Sequence, residues 1–269
     1  MYRRMLIPVD QPAEVEPLIR FGARVLDADG EIRVLHVIPS TSLPEVTRRW
    51  RSSVNLVVPA HETGAALDIH VDPEVRSAAD VPGEILESVE SHSVEAILMT
   101  LRGDKRSRNP FIGRTASVVL HHARCDVLIV NRLALIAEKV GRILVPTFGP
   151  NVPTKPMRLA EELAVRFQGI PIVALSIGRR GEEFSSGWSP PARSARGLVV
   201  EHRRSTISAT LLGRRRRLPE LILAAAARER YGLMLVAEEP GHTEGPLLTR
   251  RFLEELFRSA PCPVIALRG

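Results

Sequence analysis

Residues 99–120 read MTLRGDKRSRNPFIGRTASVVL: the close of an apolar run, a basic stretch holding Gly103 and Gly113, and then apolar residues at helical spacing. Chemistry of one kind suits these residue types. A glycine lets backbone approach a ligand without a Cβ in the way, and a helix starting near Arg114 or Thr115 turns its free N–H groups toward an anion. Arg102, Lys105, Arg106, Arg108 and Arg114 add positive charge. Phosphate is the natural occupant. Asp10, which closes the run Met5 to Val9, can accept from a ribose hydroxyl or a base amino group. Each feature also has a plainer reading: a solvated basic connection for the loop, and a helix cap ahead of Pro12 for Asp10.

Other chemistries find less support. Cys125 and Cys262 are too few for a disulfide framework and lie in no zinc-ligand spacing, so both read as buried small hydrophobes. Of the eight histidines, the adjacent pair His121 and His122 face different directions on a helix and read as helix-end residues. ALSIG at 174–178 lacks the first glycine of a nucleophile elbow, and no acid and histidine follow in order, which excludes a hydrolase. The tripeptide Arg102-Gly103-Asp104 matches a cell-adhesion motif by coincidence. The run Arg214 to Arg217 has no interleaved aromatics and reads as a solvated helix start rather than a nucleic-acid contact. A net charge of +6 is modest when 31 acidic residues are interspersed among 37 basic ones, and only three of those are lysines. No apolar run is long enough to cross a bilayer, and no leader pattern opens the chain, so the expected compartment is the cytoplasm.

The elements that would position Asp10 and the glycines occur twice. MLIPVD at 5–10 is echoed by ILVPTF at 143–148, VPGEIL at 81–86 by LPELIL at 218–223, HARCDVLIV at 122–130 by SAPCPVIAL at 259–267, and VLHVI at 34–38, less closely, by ALSI at 174–177. Matches in one order mean two copies of one unit, with a first domain over 1–135 and a second over 136–269. In the first copy, strands are expected at Met5–Val9, Ile32–Ile38, Leu67–Val71, Ala96–Met99 and Val127–Val130. Helices are expected from Pro12 through Leu26, over Pro82–Glu90 and over Thr115–His122, with 39–66 irregular. The second copy repeats this with strands Ile143–Val145, Ile172–Ile177, Leu198–Glu201, Leu233–Ala237 and Val264–Leu267, and helices near Pro156–Phe167, Pro219–Arg230 and Leu248–Ser259. Its segment 179–197 carries Gly, Ser, Pro and Arg without periodicity and is expected to be mobile. Short apolar strands alternating with amphipathic helices specify an α/β class: two tandem doubly wound, Rossmann-like domains on parallel sheets. In such sheets ligands sit beyond the carboxyl ends of the strands, where Asp10, Val37 and the 99–115 stretch lie.

These residues resemble the universal stress protein family in a tandem two-domain form. The likeness rests on the I-P-V-D opening at 7–10, HVIP at 36–39, the ILM strand at 97–99, Gly103 and Gly113 with nine residues between, and CDVLIV at 125–130. It implies five strands in order 3-2-1-4-5 in each domain, domains that pair along their fifth strands within the chain, and association into a homodimer. It further implies an adenine nucleotide, ATP with Mg, seated on Pro8, Val9, Asp10, Val37, Met99, Thr100, Arg102, Gly103, Gly113, Arg114 and Thr115. The family's loop is G-x2-G-x9-G-(S/T). Here Thr100 stands at the first glycine and Arg114 at the hydroxyl position, with Thr115 one residue on. In the second copy Asp10 is replaced by Phe148, Thr100 by Ala237, Gly103 by Pro240, Gly113 by Arg250 and Thr115 by Phe252, so that copy keeps the fold and loses the site.

The resulting expectation is a stress-response binding or sensing protein with no catalytic residues and slow ATP hydrolysis at most. Three alternatives stand beside it, the weakest being nucleic-acid binding, which rests on charge alone. One is a nucleotide-free interaction module, which Thr100 and Arg114 favour. Another is a non-covalent regulatory partner of a membrane transporter, since 54–86 looks like stress-protein domains fused to transporters. Nucleic acid is not an expected partner.

Overall fold

The computed structural model describes residues 1–40, 53–100, 113–130, 141–148, 154–179, 200–207, 218–228, 231–238 and 250–268. Arg102, Gly103, the bases at 105–108, Pro240, most of the 179–197 segment and the run 214–217 lie outside them. The chain divides into two compact units, one carrying the first five strands and the other the last five.

In the first unit, β1 (Tyr2–Pro8) leads through Pro12, which can occupy the first helical turn because its missing N–H needs no partner there, into α1 (Pro12–Ala23). Val15, Leu18, Ile19 and Phe21 form the buried stripe of α1, and a Glu16–Arg20 ion pair of 2.8 Å sits on its outer face. The helix is shorter than its apolar spacing suggests. It stops at Ala23, and Leu26 already opens β2 (Leu26–Pro39). A helix α2 (Val54–Leu67) fills much of the stretch expected to be irregular. It ends where Asp68 adopts a left-handed conformation, φ 54°, and this moves the third strand from Leu67–Val71 to β3 (His70–Ala78). Then come α3 (Val81–Ser91), β4 (Ala96–Thr100), α4 (Arg114–His122) and β5 (Asp126–Val130), close to their expected spans.

All pairings in this unit are parallel, in the order β3-β2-β1-β4-β5. Consecutive residues of the inner strands are buried, Met5, Leu6 and Ile7 in β1 and Ala96 to Met99 in β4, as a sheet covered on both faces requires. The edge strand β3 is half-exposed instead. It is laced by charge: Arg33 reaches Asp72 at 2.7 Å and Glu74 at 3.3 Å, and Arg76 reaches Glu74 at 2.6 Å and Glu84 of α3 at 2.8 Å. Burial alone would raise the Glu74 carboxyl, but hydrogen bonds and charge from Arg76, then Arg33, hold it below its ordinary range. At the amino ends of the strands, Tyr2 donates to the buried Asp126 at 2.8 Å, and the Arg3 N–H donates to Glu95 at 2.7 Å. Burial, then the Asp126 charge, pushes the Tyr2 phenol far above its usual value.

The second unit carries β6 (Ile143–Phe148), α5 (Thr154–Arg166), β7 (Ile172–Arg179), β8 (Val200–Ile207), α6 (Leu218–Arg228), β9 (Leu233–Glu238), α7 (Arg250–Ser259) and β10 (Val264–Arg268). Its strand order, β8-β7-β6-β9-β10, repeats the first. Register repeats too: Met5 pairs with Ile32 and Ala96, and its counterpart Ile143 pairs with Ile172 and Leu233. The sequence repeat is thus a repeat of hydrogen-bonded pairs.

Candidate functional site

A cavity of about 280 Å³ opens at the carboxyl ends of β1, β2 and β4 in the first unit. Pro8, Val9, Asp10, Val37, Met99, Thr100, Gly113, Arg114 and Thr115 all line it, nine of the residues singled out from the sequence. Glu14, Leu35, Pro39, Val81, Ile85 and Ala116 complete the wall. Arg102 and Gly103 lie outside the described residues.

Asp10 follows β1 in a turn held from β2. The Val9 N–H donates to the Leu35 carbonyl at 2.9 Å, and His36 Nδ1, which must carry its proton for this, donates to the Val9 carbonyl at 2.9 Å. Asp10 stands one residue before Gln11, the N-cap of α1. Val37 of β2, Met99 of β4 and Ile85 of α3 supply apolar lining. Gly113 is the N-cap of α4 at φ −59° and ψ 159°, a backbone any residue adopts. A Cβ built there meets no atom of the described residues within 4 Å. The first-turn N–H groups of α4 have no partner within the helix, and at this end the helix dipole favours negative charge. Arg114 is exposed, while Thr115 is half-buried.

Thr100 does more than crowd the position of the first glycine. Its hydroxyl donates to Glu14 Oε1 at 3.3 Å, joining the end of β4 to the first turn of α1. Glu14 went unnoticed in the sequence because an acidic residue in a first helical turn is ordinary. In the sequence His36 stands out only as part of HVIP, because its contact with Val9 depends on cross-strand register. The adjacent His121 and His122 bond back to their own helix, at 2.7 Å from Ser117 O and 2.9 Å from Val118 O, and form no shared site. Among the described residues no group of three or more His, Cys, Asp or Glu could hold a metal ion. A magnesium ion accompanying ATP would be held chiefly by phosphate oxygens and water. In the second unit, Phe252 and Leu253 stand in the first turn of α7 where Thr115 and Ala116 stand in α4, and both are buried.

A doubly wound α/β domain with a cavity at its strand ends, followed by a second unit of the same fold, defines a tandem doubly wound α/β protein. Residues 1–131 match the sequence model of the universal stress protein family, and that part of the chain belongs to the family. A universal stress protein from Archaeoglobus fulgidus is similar in structure, with a TM-score of 0.70, 16% identity, and 98% of this chain and 97% of that chain covered. The cytoplasmic domain of a prokaryotic cation chloride cotransporter is similar at a TM-score of 0.60, 10% identity and coverage of 99% and 95%. A functionally unknown protein from Pseudomonas aeruginosa gives 0.57, 11% identity and coverage of 100% and 93%. Likeness at such identities describes the fold. A comparison with curated proteins finds no match. Among the described residues, no helix is long and apolar enough to cross a membrane.

Proposed function

We propose that the first unit binds an adenine nucleotide as a signal or structural ligand, and that the chain is a cytoplasmic stress-response binding module rather than an enzyme. The observation that carries this reading is Gly113: it lines the cavity, its backbone does not need a glycine, and a Cβ there would meet no described atom. Bare backbone at a helix start beside a cavity serves an anion. In this reading Val37 and Met99 flank the base, Asp10 accepts from a ribose hydroxyl or the base amino group, and phosphate meets Thr115 and the start of α4. Universal stress proteins are generally non-enzymatic, which supports a binding role.

The test is mass spectrometry of ligands released on denaturing the purified protein, followed by thermal-shift titration with ATP, AMP and cyclic AMP. Released nucleotide, or a shift at millimolar ligand that Gly113→Arg abolishes, is the expected result. The absence of both release and shift overturns the reading. A second reading, regulatory partner of a membrane transporter, draws on the likeness to the cotransporter domain and on Val54 and Val58, which are 59% and 46% exposed on α2. Failure to co-sediment with transporter-containing vesicles would remove it.

A further inference from the structure

We infer that His36 is a positioning residue of this site: by donating from Nδ1 to the Val9 carbonyl it ends the β1–β2 ladder early and turns Asp10 out of the sheet to the cavity. The inference rests on the nucleotide reading above for its ligand and deepens it. In the first unit the β1–β2 register stops at Pro8 opposite Leu35. In the second unit the matching pair, Pro146 opposite Leu175, is followed by two more, Thr147 with Ser176 and Phe148 with Ile177. A proline stands at the same place in both copies, so its missing N–H does not explain why one ladder stops. The copies differ at the next position of the neighbouring strand, His36 against Ser176, and at the residue delivered, Asp10 against Phe148. The Val9 N–H donates to the Leu35 carbonyl at 2.9 Å and the His36 ring meets the Val9 carbonyl at 2.9 Å, so both polar groups of Val9 are held from β2. That carbonyl belongs to the planar peptide unit leading into Asp10, and fixing the plane fixes the direction in which Asp10 leaves β1. His36 itself stays behind the wall. Leu35, Val37 and Pro39 line the cavity, and strand alternation turns the residue between Leu35 and Val37 to the other face. It acts through Asp10 without touching the ligand. A carbonyl can only accept, so the contact also fixes the ring as the Nδ1–H tautomer.

The experiment is isothermal titration calorimetry of the full chain with AMP and with ATP, on the wild type, His36→Asn, His36→Leu, Asp10→Ala and the double variant His36→Leu with Asp10→Ala. Asparagine keeps an N–H donor near the place of Nδ1, whereas leucine has similar bulk and no donor. His36→Leu should weaken binding at least about tenfold, the size of one hydrogen bond, and His36→Asn should stay within about threefold of the wild type. Asp10→Ala should be costly in the wild type and cost less than about threefold once His36 is leucine, because a misplaced carboxylate has little left to lose. A ligand-free arm uses the wild type alone. Long-range proton–nitrogen NMR at about pH 8.5, where an ordinary imidazole is neutral, should show the His36 ring protonated at Nδ1 and bare at Nε2. The opposite tautomer, equal weakening by asparagine and leucine, or losses that simply multiply in the double variant overturn this inference and leave the nucleotide reading standing. Binding of neither nucleotide by the wild type overturns both.

Discussion

Gly113→Ala separates a glycine kept for the fold from one kept for a ligand. At φ −59° and ψ 159° the backbone accepts alanine without strain, and the new Cβ meets no described atom within 4 Å. Removing the glycine's freedom in the unfolded chain stabilises by about 0.4–1 kcal/mol. Glycine is the better N-cap, and losing it costs about 0.5–1 kcal/mol. The two nearly cancel, so the ligand-free variant should lie within about 1 kcal/mol of the wild type, or about 3 °C in Tm for a chain of this size. Ligand changes the comparison. At one hundred times its Kd, a nucleotide stabilises the wild type by about 2.7 kcal/mol, and a variant binding tenfold more weakly gains only about 1.4 kcal/mol at the same concentration. Differential scanning fluorimetry with and without AMP should therefore show near-equal ligand-free melts and a ligand shift cut to about half. A ligand-free loss above about 2 kcal/mol would refute the reasoning, because the glycine would then serve the fold. The internal contrast is Gly64, where a Cβ would lie 2.7 Å from Val71 Cγ2. There Gly64→Ala should destabilise by about 1–2 kcal/mol, overpacking outweighing the gain in helix propensity.

Other consequences concern the scaffold. Phe252→Ala should cost about 3–5 kcal/mol in urea unfolding, since the ring is 5% exposed in the first turn of α7. At pH 8 iodoacetamide should label the half-buried Cys125 and spare Cys262 until the protein is unfolded, because burial pushes the Cys262 thiol up to about 11. Stability should fall at both pH extremes. The Tyr2 phenol is raised above its ordinary 10.0, so its contribution is complete below that pH and declines as the unfolded chain ionises above it. The Glu74 carboxyl is lowered from 4.5, so its contribution is present above that pH and is lost as acid protonates it. Tyr2→Phe and Glu74→Gln should flatten the alkaline and acid limbs of a urea-midpoint profile; unchanged limbs would contradict these assignments.

Period and repetition made the inner strands legible, because residues buried on both faces must be apolar in succession. β1, β4, β5 and, in the second unit, β6, β7, β9 and β10 stand near their expected places for that reason, whereas the polar edge strand expected at Leu198–Glu201 lies at Val200–Ile207. The missed helix α2 carries Pro59 and several valines, residues that argue against a helix locally, and it holds because it buries a face of its own made by Leu56, Ala60 and Gly64. The third strand was misplaced because its apolar residues straddle the end of α2, and its true span owes more to pairing with β2 than to hydrophobicity. At the site, single-residue signals such as Asp10 and Gly113 could be read from sequence. The contacts of Glu14 and His36 could not, since each depends on a register that brings residues 86 and 27 positions apart into touch.

The buried Phe252 and the cavity-lining Thr115 occupy the same place in two copies of one fold. A deep mutational scan that scores abundance and ligand capture separately should therefore treat the two first turns unequally. Substitutions at 252 would register as lost protein, whereas those at 115 would leave abundance intact and register in ligand capture. If the first unit binds the proposed ligand, one copy answers mainly to folding and the other to both folding and ligand.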